Sequence, residues 1–175
     1  MRIRPYIESR DYRYLEKWID NERIHAMWSA NRLPYPITKE NFRLFLENNA
    51  KDYTESAYVA TEDDGKAVGF FCYSINVDDN AGFLKFIIVD GSKRGMGYGV
   101  KMLRLALQYA FGITGAEVVR LNVFDNNEAA KHCYEKAGFV IEESEKDVFP
   151  YQDELWSRNR MINTKQEASP TAREA

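Results

Sequence analysis

The spacing of apolar residues changes period several times along the chain, and each change marks a new kind of element. Arg2 to Ile7 reads as a short strand. Tyr14, Leu15, Trp18 and Ile19 then fall at helical spacing, with Ser9 or Asp11 placed to cap the helix start. A second short helix, from about Glu22 to Ser29, groups Ile24, Met27 and Trp28 and ends in the turn chemistry of Asn31, Pro34 and Pro36. Thr38 is expected to cap a third helix that turns Phe42, Phe45 and Leu46 inward.

From Ser56 the pattern is that of strands. SAYVAT, a polar turn from Glu62 to Lys66, AVGFFCYSI and a run from Gly82 to Val89 predict an antiparallel meander. The helix after Gly97 carries only a narrow polar stripe (Lys101, Arg104, Gln108), so it should lie mostly buried on the sheet, with Gly112 just past its end. VVRLNV, residues 118–123, is separated from the strand before it by that helix, so the two should run parallel through a right-handed crossover. A last helix, Asn127 to Ala137, stops at Gly138, and FVIEES and LWSRNRMI read as a closing pair of strands. Residues 163–175, NTKQEASPTAREA, are expected to form a disordered tail after a single domain spanning 1–162.

Composition narrows the function classes. A chain of 175 residues suits one domain, and 45% hydrophobic with 14% aromatic residues implies a sizeable core. A net charge of −3 argues against a nucleic-acid binder that works through a basic face. Cys72 and Cys133 fall inside regular elements, the start shows no secretory segment, and no apolar run approaches the roughly 20 residues that cross a bilayer. The expectation is a cytoplasmic protein without a membrane or nucleic-acid partner.

The chemistry begins at Phe86 to Gly99, FIIVDGSKRGMGYG, where an apolar run passes through Gly95, Gly97 and Gly99 into a helix. Such a loop aims unpaired N–H groups of a first helical turn at one spot, and the helix dipole adds positive potential there: an anion site. A P-loop would need a lysine followed by serine or threonine in the required place, which is absent. A dinucleotide fingerprint counted from Gly95 meets Val100 at its sixth position, and the loop follows a meander rather than an opening strand.

The stretch instead resembles motif A of the GNAT superfamily, the acetyl-CoA-dependent N-acetyltransferases: the pattern [QR]-x-x-G-x-[GA] is met by Arg94, Gly97 and Gly99. A second resemblance is independent. NEAAKHCYEKAGF, Asn127 to Phe139, is similar to the late motif of that family, with Asn127, Ala130, Tyr134, Gly138 and Phe139 in register. Element order also agrees, so the likeness covers Met1 to Ile162. It implies a β-α-α-α-β-β-β-α-β-α-β-β fold, a mostly antiparallel central sheet with one splayed parallel pair, and helices on both faces.

The same resemblance implies acetyl-CoA as co-substrate, no metal, and a pyrophosphate held by the backbone of Arg94, Gly95, Met96, Gly97, Tyr98 and Gly99. Ile87, Ile88 and Val89 would offer strand backbone to the pantetheine arm, one of their N–H groups polarising the acetyl carbonyl. Tyr134 would protonate the departing sulfur, and Asn127 would both cap its helix and touch the pantetheine. Lys93, Lys101 and Arg104 are further cations near the loop, the last two read as a solvated face.

In the branch that acetylates ribosomal-protein N-termini, a glutamate often holds the strand position occupied here by Asn122. Asparagine is no base, which leaves Asn122 a positioning role for water or acceptor and turns attention to Asp78, Asp79, Glu143 or a water relay. His25 and His132 are lone histidines with no visible partner, read as packed or surface residues, and Cys133 as a small buried hydrophobe. Trp28, Asn31, Tyr35 and Tyr151 are the candidate acceptor-site residues. The expected activity is acetyl transfer to a primary amine of a small molecule or peptide by a monomer or homodimer. The alternative is a catalytically silent CoA-binding sensor or interaction domain.

Overall fold

The computed structural model describes residues 1–165. Its chain order is β1 (Arg2–Pro5), α1 (Glu8–Trp18), α2 (Glu22–Ser29), α3 (Lys39–Tyr53), β2 (Ser56–Thr61), β3 (Ala67–Asn76), β4 (Ala81–Val89), α4 (Tyr98–Gly112), β5 (Val118–Phe124), α5 (Glu128–Lys136), β6 (Val140–Tyr151) and β7 (Glu154–Thr164). This is the implied α/β order, and the seven strands form one sheet, β1-β2-β3-β4-β5-β7-β6. Every neighbouring pair is antiparallel except β4–β5.

Two cores cover the two faces. α4 and α5 lay Met102, Leu103, Ala106, Leu107 and Tyr134 on Phe71, Leu84, Val119 and Leu121. On the opposite face Leu15, Trp18, Trp28 and Phe42 from α1 to α3 close over Val59, Phe70, Phe86 and Ile88. A smaller aromatic cluster, Phe124, Tyr151 and Trp156 with Ala26, joins α2 to the β6–β7 hairpin.

Thr38 makes the expected cap, completed into a capping box by Asn41. Other local expectations are corrected. Neither Ser9 nor Asp11 caps α1: both are helical, Ile7 stands at the N-cap, and Asp11 is buried. Its carboxylate accepts the Ile7 N–H at 2.8 Å and two bonds from Arg4 at 2.7 and 2.8 Å. A buried charge must be paired, and this one fastens helix to edge strand. Gly112 is the last residue of α4 rather than the residue beyond it, and Ile113 takes the C-cap. β7 runs through Thr164, and the Lys165 N–H bonds the Glu117 carbonyl, so Asn163 and Thr164 belong to the sheet; residues 166–175 lie outside the described part.

The sheet's decisive irregularity lies in β4. Ile88 pairs with Phe70 and Lys85 with Cys72, so Phe86 and Ile87 both oppose Phe71. Phe86 has φ of 51°, a conformation that bulky residues rarely adopt. The extra residue reverses the strand's phase, so Leu84 faces α4 while Phe86 and Ile88 face α1 to α3. It also bends β4 away from its parallel neighbour: β5 is paired only from Ala81↔Val118 to Leu84↔Leu121, and beyond Leu84 the strands separate.

Candidate active site

The opening between β4 and β5 leads into a cleft of about 540 Å³, a size suited to a cofactor-scale ligand. Lys85 to Val89 form one wall and Asn122 to Phe124 the other, the glycine loop and the start of α4 close one end, and α5 supplies Asn127, Ala130, Cys133 and Tyr134. Ile24, Met27 and Trp28 of α2 line the cleft as well.

The bulge holds its strained backbone through burial and a hydrogen bond. The Phe86 ring packs on Phe45 and Trp28, and the Trp28 indole donates to the Phe86 carbonyl at 2.8 Å. Strain kept in place by surrounding packing is a recurrent property of working sites. After the bulge, the Asp90 N–H bonds the Val68 carbonyl of β3. Strand alternation then turns the backbone of Ile88 toward β3 and the N–H and C=O groups of Ile87 and Val89 toward the open edge. Of the three residues read as a false strand partner, two present their backbone to the cleft.

In the loop, Gly95 and Gly97 have φ of 75° and 80°, and Gly97 is the N-cap of α4. The Arg94 and Met96 N–H groups are engaged in turns, to Gly91 and Lys93 carbonyls at 3.4 Å. Those of Gly95, Gly97, Tyr98, Gly99 and Val100 have no backbone acceptor among the described residues, and the first helical bond comes from Lys101 to Gly97. Of Arg94 to Gly99, all but Met96 line the cleft, and Met96 is exposed outside it.

Lys93 is not a spare cation. Its ammonium meets Glu62 at 2.9 Å, Tyr98 donates to the same carboxylate, and the three groups tie the loop to the β2–β3 turn. Those two hydrogen bonds, Tyr98 first, hold the Glu62 carboxyl below its ordinary pKa. Gly99 serves packing: a Cβ there would come within 2.7 Å of Cys133 Sγ, so the missing side chain lets α4 and α5 approach.

Tyr134 lies buried on α5, its ring edge-on to Phe139. Burial, with Cys133 adding a little, pushes the phenol pKa well above its usual value. The hydroxyl thus stays protonated across the neutral range. Asn127 caps α5 by accepting the Ala130 N–H at 3.3 Å, and both motifs meet in this one cleft.

Asn122 does line the cleft. The proposed bases do not: Asp79 borders a different hollow, Asp78 stands beside it in the β3–β4 turn, and Glu143 is paired with Arg160 at 3.1 Å. No Asp or Glu lines the cleft among the described residues. His132 touches its rim but is exposed and faces Glu135, while His25 is buried behind the cleft, its pKa lowered by burial.

Of the acceptor-site candidates, only Trp28 is in the lining. Tyr35 stacks beside His25 at 5.4 Å, Tyr151 is buried on Trp156, and Asn31 lies in the turn after α2. Ile24, Met27, Phe86 and Phe124 line the cleft beside Trp28. Their sequence signal was present as helical or strand core spacing, which does not say whether a residue faces core or cleft.

A family model described as "Acetyltransferase (GNAT) family" matches residues 21–139, a span that contains both motifs and every residue lining the cleft. The chain belongs to the GNAT acetyltransferase family. It is an acetyl-CoA-dependent N-acetyltransferase. Among relatives, a spermidine N(1)-acetyltransferase of Escherichia coli (strain K12) is 29% identical over 143 residues, covering 81% of this chain and 74% of that protein. A spermine/spermidine N(1)-acetyltransferase of Bacillus subtilis (strain 168) is 28% identical over 116 residues, 55% of this chain and 76% of that one. Among solved structures, a spermidine N-acetyltransferase from Vibrio cholerae in complex with CoA and spermine shares the fold. Its TM-score is 0.78 at 23% identity, and the match covers 93% of this chain and 94% of that one. A dodecameric structure of the V. cholerae enzyme is also similar, with a TM-score of 0.73.

Proposed function

We propose that this GNAT enzyme transfers the acetyl group to a primary amine by direct attack within a ternary complex, with Tyr134 as general acid. What carries the reading is the convergence of three features in one cleft: backbone donors at the start of α4, the open edge of β4 at Ile87 and Val89, and the protonated phenol of Tyr134. Gly95, Gly97 and the first turn of α4 would hold the pyrophosphate, and Ile87 and Val89 the pantetheine. Bound there, acetyl-CoA supplies a thioester, an acyl donor with a thiolate leaving group.

The chain's own contributions follow from position. An N–H of Ile87 or Val89 donates to the carbonyl oxygen on which negative charge grows. Tyr134 Oη gives its proton to the sulfur as the bond breaks, an assistance of about 10²- to 10⁴-fold in rate. With no carboxylate lining the cleft among the described residues, the amine proton leaves through water ordered at Asn122. Taking a proton from an amine of ordinary pKa near 10.4 at pH 7 costs about 4 to 5 kcal/mol, so the neutral fraction of the acceptor limits the rate.

The decisive experiment measures free-thiol release from acetyl-CoA across polyamines, monoamines, amino acids and peptides. Names of the relatives put spermidine and spermine on that panel. Thiol release that requires an amine supports the proposal; CoA binding without turnover on any amine refutes it.

A further inference from the structure

The acceptor end of the cleft has a chemistry of its own. Away from the glycine loop, the walls are Ile24, Met27 and Trp28 from α2 against Phe86 and Phe124 from the separated strands, with Asn122 as the polar group between them. Trp28, Phe86 and Phe124 are each less than a tenth exposed, and the Trp28 indole N–H is consumed by the Phe86 carbonyl. What they show the cleft is apolar.

A polycation entering here would bring ammonium groups that find no counter-charge in the lining among the described residues. Charges buried without a partner are strongly disfavoured. The glutamates of the neighbouring hairpin are already paired, Glu142 with Arg120, Glu143 with Arg160, Glu145 with Arg158 and Glu154 with Arg23, and neither they nor Asp147 and Asp153 line the cleft. The cation already standing in this wall, Lys85, is paired with Glu55 at 2.8 Å. An amine with one nitrogen escapes the difficulty, since that nitrogen loses its charge before it attacks.

Resting on the acetyltransferase reading above, we propose that the acceptor is a monoamine: a single primary amine carried on an apolar or aromatic body, rather than a polyamine. Ile24, Met27, Trp28, Phe86 and Phe124 hold the body, and Asn122 holds the amine or its departing proton's water.

Steady-state thiol release by the wild-type chain decides this, using 2-phenylethylamine and hexylamine against spermidine and spermine at one pH. The expected result is a kcat/KM at least tenfold higher for the monoamines. Calorimetric titration of the same amines into the CoA-bound protein should show the same order of affinity, which reads the pocket without turnover. A kcat/KM for spermidine or spermine equal to or above that of the monoamines overturns the inference and leaves the acetyltransferase reading intact. Absence of thiol release with every amine instead removes that parent reading and the inference with it. Met27→Glu provides an internal check, because a carboxylate placed in this wall should shift the monoamine-to-spermidine ratio at least tenfold toward spermidine. An unchanged ratio in a folded Met27→Glu variant would show that the wall does not contact the acceptor, and Ile24→Glu repeats the test if that variant fails to fold.

Discussion

Replacement of Tyr134 by phenylalanine separates chemistry from structure unusually well. The ring is buried on α5 against Phe139, and phenylalanine keeps that packing. Burial and, secondarily, Cys133 raise the phenol pKa, and the hydroxyl makes no hydrogen bond among the described residues, so its removal should cost little stability. Folding should therefore change by less than about 1 kcal/mol, within about 4 °C in Tm. If the hydroxyl protonates the leaving sulfur, kcat falls by about 10²- to 10⁴-fold, or roughly 3 to 5 kcal/mol of transition-state stabilisation. The KM for acetyl-CoA should move by less than about threefold if the interaction is made only in the transition state. The assay is steady-state thiol release paired with single-turnover measurement to show that chemistry limits the rate. An unchanged kcat under those conditions would remove Tyr134 from the mechanism.

Further outcomes are expected from the same geometry. A Cβ added at Gly97 would meet no atom within 4 Å, so the main cost of Gly97→Val is the left-handed backbone, about 1 to 2 kcal/mol, and its functional effect is a Kd for CoA raised at least tenfold in calorimetry. Gly99→Ala should lower stability by about 1 to 3 kcal/mol through its collision with Cys133 Sγ, and adding Cys133→Ala should restore most of the loss, as read by urea unfolding. Because burial raises the Tyr134 pKa and no carboxylate base lines the cleft, kcat/KM should climb about tenfold per pH unit from 7 to 9 with the neutral amine, and a plateau near pH 7 would reveal an enzymic base. Glu62 has a folded pKa below its ordinary value of 4.5, so its anchoring of the loop is complete above that value and lost as acid carries the pH down through the folded one. Protection factors of the Lys93 to Tyr98 amides, taken against the intrinsic exchange rate at each pH, should fall on that acid descent, and Glu62→Gln should show the lower protection already at neutral pH.

Much of this protein follows from local sequence. Helix periods, the Thr38 capping box, the Asn127 cap and the glycines that accept positive φ act within a few residues, so α2, α3, α4 and α5 and the anion cradle could be placed without tertiary contacts. The two motifs likewise identify the family because their spacing is fixed by backbone geometry. What the tertiary structure decided depends on partners far apart in the chain. The bulge at Phe86 exists because Trp28 and Phe45 hold a ring and a carbonyl that a regular strand would place elsewhere; nothing in the run FLKFIIV announces it. β7 lies between β5 and β6 because the hairpin folds back to pair Val118–Phe124 with Arg158–Thr164, a choice made by register rather than by composition. The cleft lining has the same origin. Tyr35 and Tyr151 look as suitable in sequence as Phe86 and Phe124, and only the splay of β4 from β5, set by one extra residue, determines which aromatic rings line the cleft.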